Sequence, residues 1–318
     1  MATVLITGAA GNLGTLLARH LVTTRAHTLR LMFHRTPLAA DLAGAPNIQP
    51  LRADLSNPQT LPPAVAGADA IVHFAGVLFR PRPERFLPET NTRWFANLLG
   101  AALEAHVPRV ILISFPQVEG PTSPEHPATG RLDGHPISVH ARTRLDEERL
   151  LMAEARRPGF TPIVLRCGMV YASGILMIDA ARWLAAHRML AVWKQPTVFQ
   201  LISSVDFARA CEAAIATPLA HGIYHVGDEQ PVTIQEFLDR SCEVWGCARP
   251  LRVPTWSIDA VAAACEAFAA IAGTRAWFTR DFVRLGRVPH WGDTRRAREE
   301  LIRELVYPTL ESGLALLR

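Results

Sequence analysis

The stretch that decides the fold is ATVLITGAAGNLG, which runs from Ala2 to Gly14. Its first part, residues 3–7, is a short and almost uninterrupted apolar run, which predicts a strand buried on both faces. Glycines follow with the spacing Gly-x-x-Gly-x-x-Gly, and leucines then recur at helical spacing. The glycines therefore lie in the turn between a central strand and the first helix.

This turn has the features of a dinucleotide site. Glycine allows a tight turn, brings a backbone without Cβ against a pyrophosphate, and lets the helix pack closely on the strand. Free N–H groups at the helix N-terminus then face the anion. A glycine-rich turn can also be only a turn, but the strand–turn–helix context favours dinucleotide binding. The predicted cofactor-binding residues here are Gly8, Ala10, Gly11, Asn12, Leu13 and Gly14.

Composition narrows the class of protein. With 318 residues, 49% of them hydrophobic, the chain can form one large α/β unit or a cofactor domain with a smaller partner. The net charge of +4 comes without a basic block, which argues against a nucleic-acid partner. The five cysteines lack the spacing of metal ligands, so we expect reduced thiols, a cytoplasmic protein and no metal site.

No secretory signal and no membrane partner are expected. The one doubtful apolar segment, residues 258–278, is interrupted by Asp259, Glu266 and Arg275. This pattern predicts a buried helix or a lid helix rather than a membrane span.

Further along the chain, apolar runs alternate with helical patterns. The predicted strands include residues 28–33, 48–51, 70–74, 109–114, 198–202 and 222–226. This alternation predicts an α/β fold, a doubly wound parallel (Rossmann) sheet with ligands at the carboxyl ends of its strands. At these ends, Asp54 could accept a hydrogen bond from an adenine amino group or could only form a turn. His73 is expected to be a packed core histidine. Candidate cofactor residues at these ends are Asp54, Leu55, Phe74, Ala75 and Gly76.

The end of the second strand bears on the choice of cofactor. About 20 residues past the last glycine, an NAD site has an acidic residue that binds the adenosine ribose. This chain has His34 and Arg35 there. Because an arginine suits a 2'-phosphate, the sequence favours NADP, with NAD as the second choice. The alternative is that Arg35 is only a solvated charge at a strand end.

Motifs spread over nearly the whole chain carry a family resemblance. They are residues 7–14 (TGAAGNLG), 53–55 (ADL), 72–76 (VHFAG), a helix opened by Asn91, 164–171 (VLRCGMVY), 204–208 (SVDFA), 222–227 (GIYHVG) and 293–297 (DTRRA). Together they resemble the extended short-chain dehydrogenase/reductase family of the NAD-dependent epimerase/dehydratase type. The resemblance implies further cofactor contacts from Asn91, Arg144 and Cys167.

The same resemblance implies the domain organisation and the partners. A Rossmann domain would span residues 1–168 plus 198–227, and a smaller, mostly helical C-terminal substrate domain would span 169–197 plus 228–318. A homodimer would form through the helices that hold Asn91 and His140. Nucleotide sugars, sterols and phenolic metabolites are the implied substrate classes. Trp256, Trp277 and Trp291 could line an apolar site, although such aromatics more often form a core.

The catalytic positions depart from the family pattern, which has a Ser or Thr after the fifth strand and Tyr-x-x-x-Lys on the next helix. Alignment puts Phe115 at the Ser/Thr position, with Ser114 one residue early. It puts His140 at the tyrosine and Arg144 at the lysine. Arg144 can donate to ribose hydroxyls but cannot relay a proton. His140, with Arg144 one turn away lowering its pKa, would be a neutral base or a strong acid when protonated; the alternative is a non-catalytic histidine that lines the pocket.

Three other residues near the cleft have weaker support. Tyr171 lies just past the sixth strand, where the family often has a tyrosine without a catalytic role. Glu119 could face substrate, although a solvated loop carboxylate is the simpler interpretation. Cys167 stands where the family usually has proline beside the nicotinamide, and a small buried filler is the default interpretation.

We therefore predict an NAD(P)-dependent oxidoreductase that acts on a carbonyl or secondary alcohol of a small molecule. His140, Arg144 and Ser114 form its predicted catalytic set. Because all three usual residue types are replaced, two alternatives stay open. One is a dinucleotide-binding regulator or partner-binding protein without turnover, and the other is a non-redox epimerase, isomerase or lyase that retains the cofactor.

Overall fold

The chain folds around a seven-stranded parallel sheet, and the computed structural model describes residues 2–76, 82–274, 276 and 278–318. The strands are β1 (Ala2–Thr7), β2 (His27–Phe33), β3 (Ile48–Arg52), β4 (Ala70–His73), β5 (Arg109–Ser114), β6 (Thr161–Cys167), β7 (Met169–Tyr171), β8 (Ala191–Trp193), β9 (Val198–Phe199), β10 (Leu201–Ser203), β11 (Gly222–Val226), β12 (Val232–Thr233) and β13 (Leu251–Val253). In the large sheet their order is β11-β6-β5-β4-β1-β2-β3. The predicted doubly wound sheet is therefore confirmed.

Helices cover both faces of this sheet. They are α1 (Asn12–Thr24), α2 (Ala40–Ala43), α3 (Pro62–Val65), α4 (Trp94–Glu104), α5 (Val139–Ala153), α6 (Leu176–Ala186), α7 (Ser204–Ala216), α8 (Ile234–Trp245), α9 (Thr255–Ala272), α10 (Arg280–Gly286), α11 (Arg295–Glu300) and α12 (Leu310–Gly313). A π-helical turn over Pro88–Arg93 leads into α4, where the sequence predicts a helix that opens at Asn91. The helix is confirmed, with a widened first turn.

The first strand shows why its sequence is almost wholly apolar. Val4 and Ile6 belong to one hydrophobic cluster and Leu5 to a second one, and none of the three is exposed. Successive side chains of a strand point to opposite faces, so β1 is buried on both sides. Helices α1 and α7 contribute to the first cluster, and α4 and α5 to the second.

Polar side chains fix several helix ends. Thr233 caps α8 by accepting from the N–H of Glu236 at 3.1 Å. Ser203 caps α7 in the same way, accepting from Asp206 at 3.0 Å. At the other end of α7, the guanidinium of Arg109 donates to four backbone carbonyls between residues 214 and 218. These bonds hold the carboxyl end of α7 against the amino end of β5.

The carboxy-terminal region consists of helices and small two-stranded sheets. β9 pairs with β12, and β10 pairs with β7, both outside the large sheet. The single strand predicted over residues 198–202 is therefore wrong. Gln200 divides it, because its buried side chain exchanges hydrogen bonds with both backbone groups of Gly292. The proposed domain bounds stay a prediction.

The apolar segment near residue 260 forms the helix α9. Within the described residues, α9 is the helix that is long and apolar enough to cross a membrane by length and composition. It packs through Ile258, Ala262 and Ala269, while Trp256 is 71% and Ile271 88% exposed. Only 17% of its apolar window is buried, so α9 is a surface helix, and its lid role stays a prediction.

The tryptophans that could line an apolar site differ in their exposure. Trp256 is exposed on α9 and Trp291 is half-buried. Trp277 and Arg275 lie outside the described residues.

Candidate functional site

The glycine turn brings two strand ends together. Gly8 has a φ of +69°, in the left-handed region that glycine adopts without strain. A Cβ on Gly8 would lie 2.9 Å from the backbone nitrogen of Ala75, just beyond β4. A Cβ on Gly14 would collide with the carbonyl oxygen of Gly8. The ends of β1 and β4 and the start of α1 therefore form a cradle lined by backbone, which we call the glycine cradle.

The N-terminus of α1 opens at this cradle. Gly11 is its N-cap residue, and no side chain caps the first turn. The Asn12 side chain instead reaches the carboxy-terminal region: it donates to the carbonyl of Gly174 at 2.7 Å and accepts from the N–H of Leu176 at 2.8 Å. The side chain of Asn12 is therefore engaged, and only its backbone N–H is left to bind an anion. Uncapped N–H groups at a helix N-terminus suit a pyrophosphate. Ala10 and Leu13 are half-buried in the same turn.

The ends of β2 and β3 carry a charged group of side chains. His34 Nε2 lies 3.3 Å from a carboxylate oxygen of Asp54, whose other oxygen accepts from the N–H and hydroxyl of Ser56. Burial raises the pKa of Asp54, but the Ser56 hydrogen bonds and the nearby His34 and Arg35 outweigh it and hold the pKa below its ordinary value. Arg35 is exposed beside this group. Asp54 therefore does form a turn, and the phosphate contact of Arg35 stays a prediction.

Beyond β4, Gly76 faces two polar side chains. A Cβ on Gly76 would lie 3.5 Å from Nη2 of Arg144 and 3.6 Å from Oδ1 of Asn91. Asn91 is 1% exposed, and its amide donates to the hydroxyl of Thr143 at 3.1 Å. Among the described residues, Oδ1 of Asn91 and Nε of Arg144 are buried without a hydrogen-bond partner. A polar ligand would satisfy these two atoms, which are costly to bury alone.

Two other predicted cofactor residues lie at the same strand ends. Leu55 is buried after β3, and its carbonyl oxygen accepts from the amide of Asn97 at 2.9 Å. Phe74 is half-buried after β4, and its N–H donates to the carbonyl of Thr7 at 3.3 Å. Phe74 is therefore fixed to the end of β1 beside the glycine cradle, and Leu55 is fixed to α4.

His140 lies in the first turn of α5, which Ser138 caps. The carboxylate of Asp281, on α10, accepts from the Ser138 hydroxyl at 3.0 Å and from the N–H groups of Val139 and His140 at 2.8 and 3.2 Å. Burial and then the charge of Arg144 lower the pKa of His140 to about 4, although Asp281 opposes them. The ring is therefore neutral near pH 7.

His73 is the second histidine of this region. It is 1% exposed, and its Nδ1 lies 2.8 Å from the hydroxyl of Thr7. Burial and then Arg144 lower its pKa to about 3. The prediction of a packed core histidine is confirmed.

A buried ion-pair network lies between β5, β6 and α5. Arg166 is 0% exposed and donates to the carboxylates of both Glu148 and Glu119. The hydroxyl of Ser114 donates to Glu148 as well. Ser114 is thus engaged with the network, and Phe115, at the family's Ser/Thr position, is half-buried.

Glu119 differs from its expected surroundings. It is 8% exposed and accepts from the N–H groups of Gly130 and Arg131 at 2.7 and 3.0 Å. Burial raises the pKa of Glu119, but the His225 ring, whose Nε2 lies 3.6 Å from Oε1, and the charge of Arg166 more than compensate and lower it to about 2. The interpretation as a solvated loop carboxylate is wrong, because the loop from Gly120 onward folds back over this side chain.

Cys167 and Tyr171 are both packed into the interior. Cys167 is 5% exposed, and its thiol donates to the carbonyl of Leu165. Burial raises the pKa of the Cys167 thiol, which stays neutral, so a small buried filler is confirmed, and its cofactor contact stays a prediction. Tyr171 is 0% exposed, packs against Phe237 and donates to the carbonyl of Thr309. Its hydroxyl therefore belongs to the core of the carboxy-terminal region.

Sequence reasoning missed two carboxylates of this site. Glu147 pairs with Arg144 three residues before it, and this helical spacing is a signal that could have found it. Asp281 is 141 residues from His140, and no local pattern connects them. Among the described residues, no cluster of His, Cys, Asp or Glu is arranged to hold a metal ion.

A glycine cradle at the carboxyl edge of a doubly wound sheet, facing partnerless polar atoms, defines a dinucleotide-binding protein. Residues 8–155 match the NAD(P)H-binding family. A 4-hydroxy-2-methyl-3-oxo-4-farnesyl-3,4-dihydroquinoline-1-oxide ketoreductase from Stigmatella aurantiaca is 26% identical over 260 residues, which cover 76% of this chain and 72% of that protein.

Solved structures share the whole fold. A dTDP-glucose 4,6-dehydratase double mutant from Streptomyces venezuelae, with NAD bound, matches with a TM-score of 0.79 and 22% identity over 99% of this chain and 95% of that chain. A UDP-glucuronic acid 4-epimerase from Bacillus cereus, also with NAD, matches with a TM-score of 0.77 and 17% identity over 99% and 96%. This chain therefore carries an NAD(P)H-binding domain over residues 8–155 and shares its fold with these dehydratases and epimerases, which is the fold that the resemblance implies.

Proposed function

We propose that this protein is an NADP-preferring oxidoreductase that interconverts a carbonyl and a secondary alcohol on a small molecule. One observation carries the proposal: Arg144 and Asn91 meet at Gly76, each with a buried polar atom that has no partner among the described residues. Polar atoms placed in this way, at the carboxyl edge beside the glycine cradle, fit the ribose next to a nicotinamide.

The residues present fit the rest of the cofactor. The glycine cradle and the uncapped start of α1 would hold the pyrophosphate, and Arg35 would hold the 2'-phosphate. Arg144 and Asn91 would bind the ribose hydroxyls. When bound, the reduced cofactor supplies a hydride to the carbonyl carbon.

His140 would handle the proton at the substrate oxygen. With a pKa lowered to about 4, its ring is a neutral acceptor for the hydroxyl proton during alcohol oxidation. In carbonyl reduction, the proton would come from the protonated ring or from a water that the ring orients. Arg144 cannot take this role, since a guanidinium does not give up its proton. Ser114 would act through Glu148, by supporting α5, rather than on the substrate.

The substrate we propose is an apolar carbonyl compound rather than a nucleotide sugar. Phe115 replaces a hydrogen-bonding residue at the family's substrate position, which removes a polar contact and adds apolar surface. The relative from Stigmatella aurantiaca is named as a ketoreductase of a farnesyl-bearing compound. A cytoplasmic homodimer through α4 and α5 stays a prediction, which the mass in solution would test.

The test compares two glycine variants with the wild type. Gly8→Ala places a Cβ against the backbone of Ala75 in a left-handed conformation, so we expect it to lose NADPH binding. Gly44→Ala is the matched control, because nothing lies within 4 Å of its Cβ. Titration by fluorescence gives binding, and NADPH consumption over a panel of apolar ketones gives turnover.

The outcomes separate the candidate functions. Binding with steady NADPH consumption supports the proposed oxidoreductase. Binding without consumption of any substrate would favour the regulator, and conversion without net redox change would favour the isomerase or lyase. If the wild type binds neither NADP nor NAD, the proposal fails.

A further inference from the structure

Glu147 has no role in the function proposed above, although it is buried in the same helix. Its side chain is 0% exposed, and one carboxylate oxygen accepts from Nη1 of Arg144. The other oxygen is buried without a hydrogen-bond partner among the described residues. A carboxylate this deep is costly unless its charge is needed where it stands.

No other charged side chain near Glu147 explains why its carboxylate is buried there. Glu148, the next residue, is held with Glu119 by Arg166, so these two carboxylates share a different guanidinium. The nearby His73 and His140 are kept neutral by burial and by the charge of Arg144. Glu147 is therefore the carboxylate that balances Arg144.

The Arg144–Glu147 pair lies where the ribose of the cofactor is proposed to bind. Nη1 of Arg144 is hydrogen-bonded to Glu147, and Nη2 of the same planar group lies at Gly76, where a Cβ would be 3.5 Å from it. The guanidinium is rigid, so fixing one edge of it aims the other edge. The orientation of Arg144 toward the ribose therefore depends on Glu147.

We propose that Glu147 is a positioning residue that also sets the charge of the nicotinamide pocket: it aims Arg144 at the ribose and cancels its charge. The inference rests on the proposed function. An oxidised nicotinamide ring is positive and a reduced one is neutral, so a pocket with an unbalanced arginine would reject the oxidised form. With Glu147 ionised, the protein can bind both the oxidised and the reduced cofactor, with no selection by charge between them.

The experiment measures dissociation constants for NADP+ and NADPH in four proteins: wild type, Glu147→Gln, Arg144→Met and the double variant. Binding is measured at pH 8.5, above the pKa of about 7 to which burial raises Glu147. In Glu147→Gln, the ratio of the NADP+ constant to the NADPH constant should rise about 10-fold, the effect of one charge at ~10 Å with an effective dielectric constant near 20. In Arg144→Met it should fall, and the double variant should return close to the wild-type ratio.

Asp146→Asn is the matched control. It makes the same charge change one residue earlier, on a half-exposed side chain paired with Arg149, and should leave the ratio unchanged. Melting curves show which variants are folded. If Glu147→Gln is not, the double variant is compared with Arg144→Met, because the ratio should rise back to the wild-type value when Glu147 is also replaced. A ratio that stays at the wild-type value in folded Glu147→Gln, or that differs from it in the double variant, overturns the inference. Failure of the wild type to bind either nucleotide would instead overturn the proposed function.

Discussion

Arg35 is the residue on which the proposed preference for NADP over NAD rests. It is exposed at the carboxyl end of β2, beside the His34–Asp54 pair. A charge-assisted hydrogen bond to a phosphate contributes about 1.5–3 kcal/mol, so Arg35→Gln should weaken NADP binding roughly 10- to 100-fold and leave NAD binding unchanged. Arg25→Gln, just before the amino end of β2, is the control. Calorimetric titration measures both affinities, and an equal loss of affinity for NADP and NAD would contradict the proposed preference.

His140 carries a prediction about pH. Its pKa of about 4 lies below the ordinary value of 6.5, so the ring stays neutral from pH 5.5 to 8 and should add no step to the rate profile there. His140→Phe should lower the rate about 100-fold or more, the usual contribution of a general acid or base. Full activity in this variant would remove His140 from the mechanism.

The stability of the same variant gives an independent check. A histidine whose folded pKa is depressed contributes stability above pH 6.5 that is lost as the pH falls toward 4. His140→Phe lacks this loss, so its melting temperature should rise relative to the wild type as the pH is lowered. A constant difference between the two proteins would show that folding does not lower the pKa of His140.

At the scale of elements, α10 determines where α5 begins. Asp281 accepts three hydrogen bonds from residues 138–140, including the backbone of His140. Asp281→Ala would leave buried donors unsatisfied, so we expect a loss of about 2–4 kcal/mol in the free energy of unfolding and a larger fall in kcat than in NADPH affinity. Asp259→Ala on α9, which breaks an exposed ion pair with Arg287, should cost under about 1 kcal/mol. Urea unfolding with steady-state kinetics measures both.

At the scale of the whole molecule, one hydrophobic cluster joins the sheet to the carboxy-terminal region. It runs from Val4 and Leu17 to Phe237, Leu310 and Leu317, all of them at most 5% exposed. A continuous core couples the two regions, so calorimetry should show a single unfolding transition that NADPH moves to higher temperature. Two unfolding transitions, or a single one whose temperature NADPH does not change, would contradict this coupling.

The sequence alone determined the α/β class, the doubly wound parallel sheet and the position of the glycine cradle. These features follow from local patterns: a β-branched apolar run, glycines where a Cβ would collide with backbone, and helical periodicity after them. It also placed His140 one turn from Arg144, which predicts a lowered pKa, while burial, the larger cause of the neutral ring, comes from the fold.

Only the tertiary structure decided which polar groups are free and which are engaged. Ser114 is bonded to Glu148, and Glu119 is enclosed by its own loop, because partners distant in sequence reach them. The contact of Asp281 with α5 spans 141 residues, and the exposure of α9 depends on what packs beside it. Burial and long-range pairing are properties of the assembled chain, which is why no local pattern determines them.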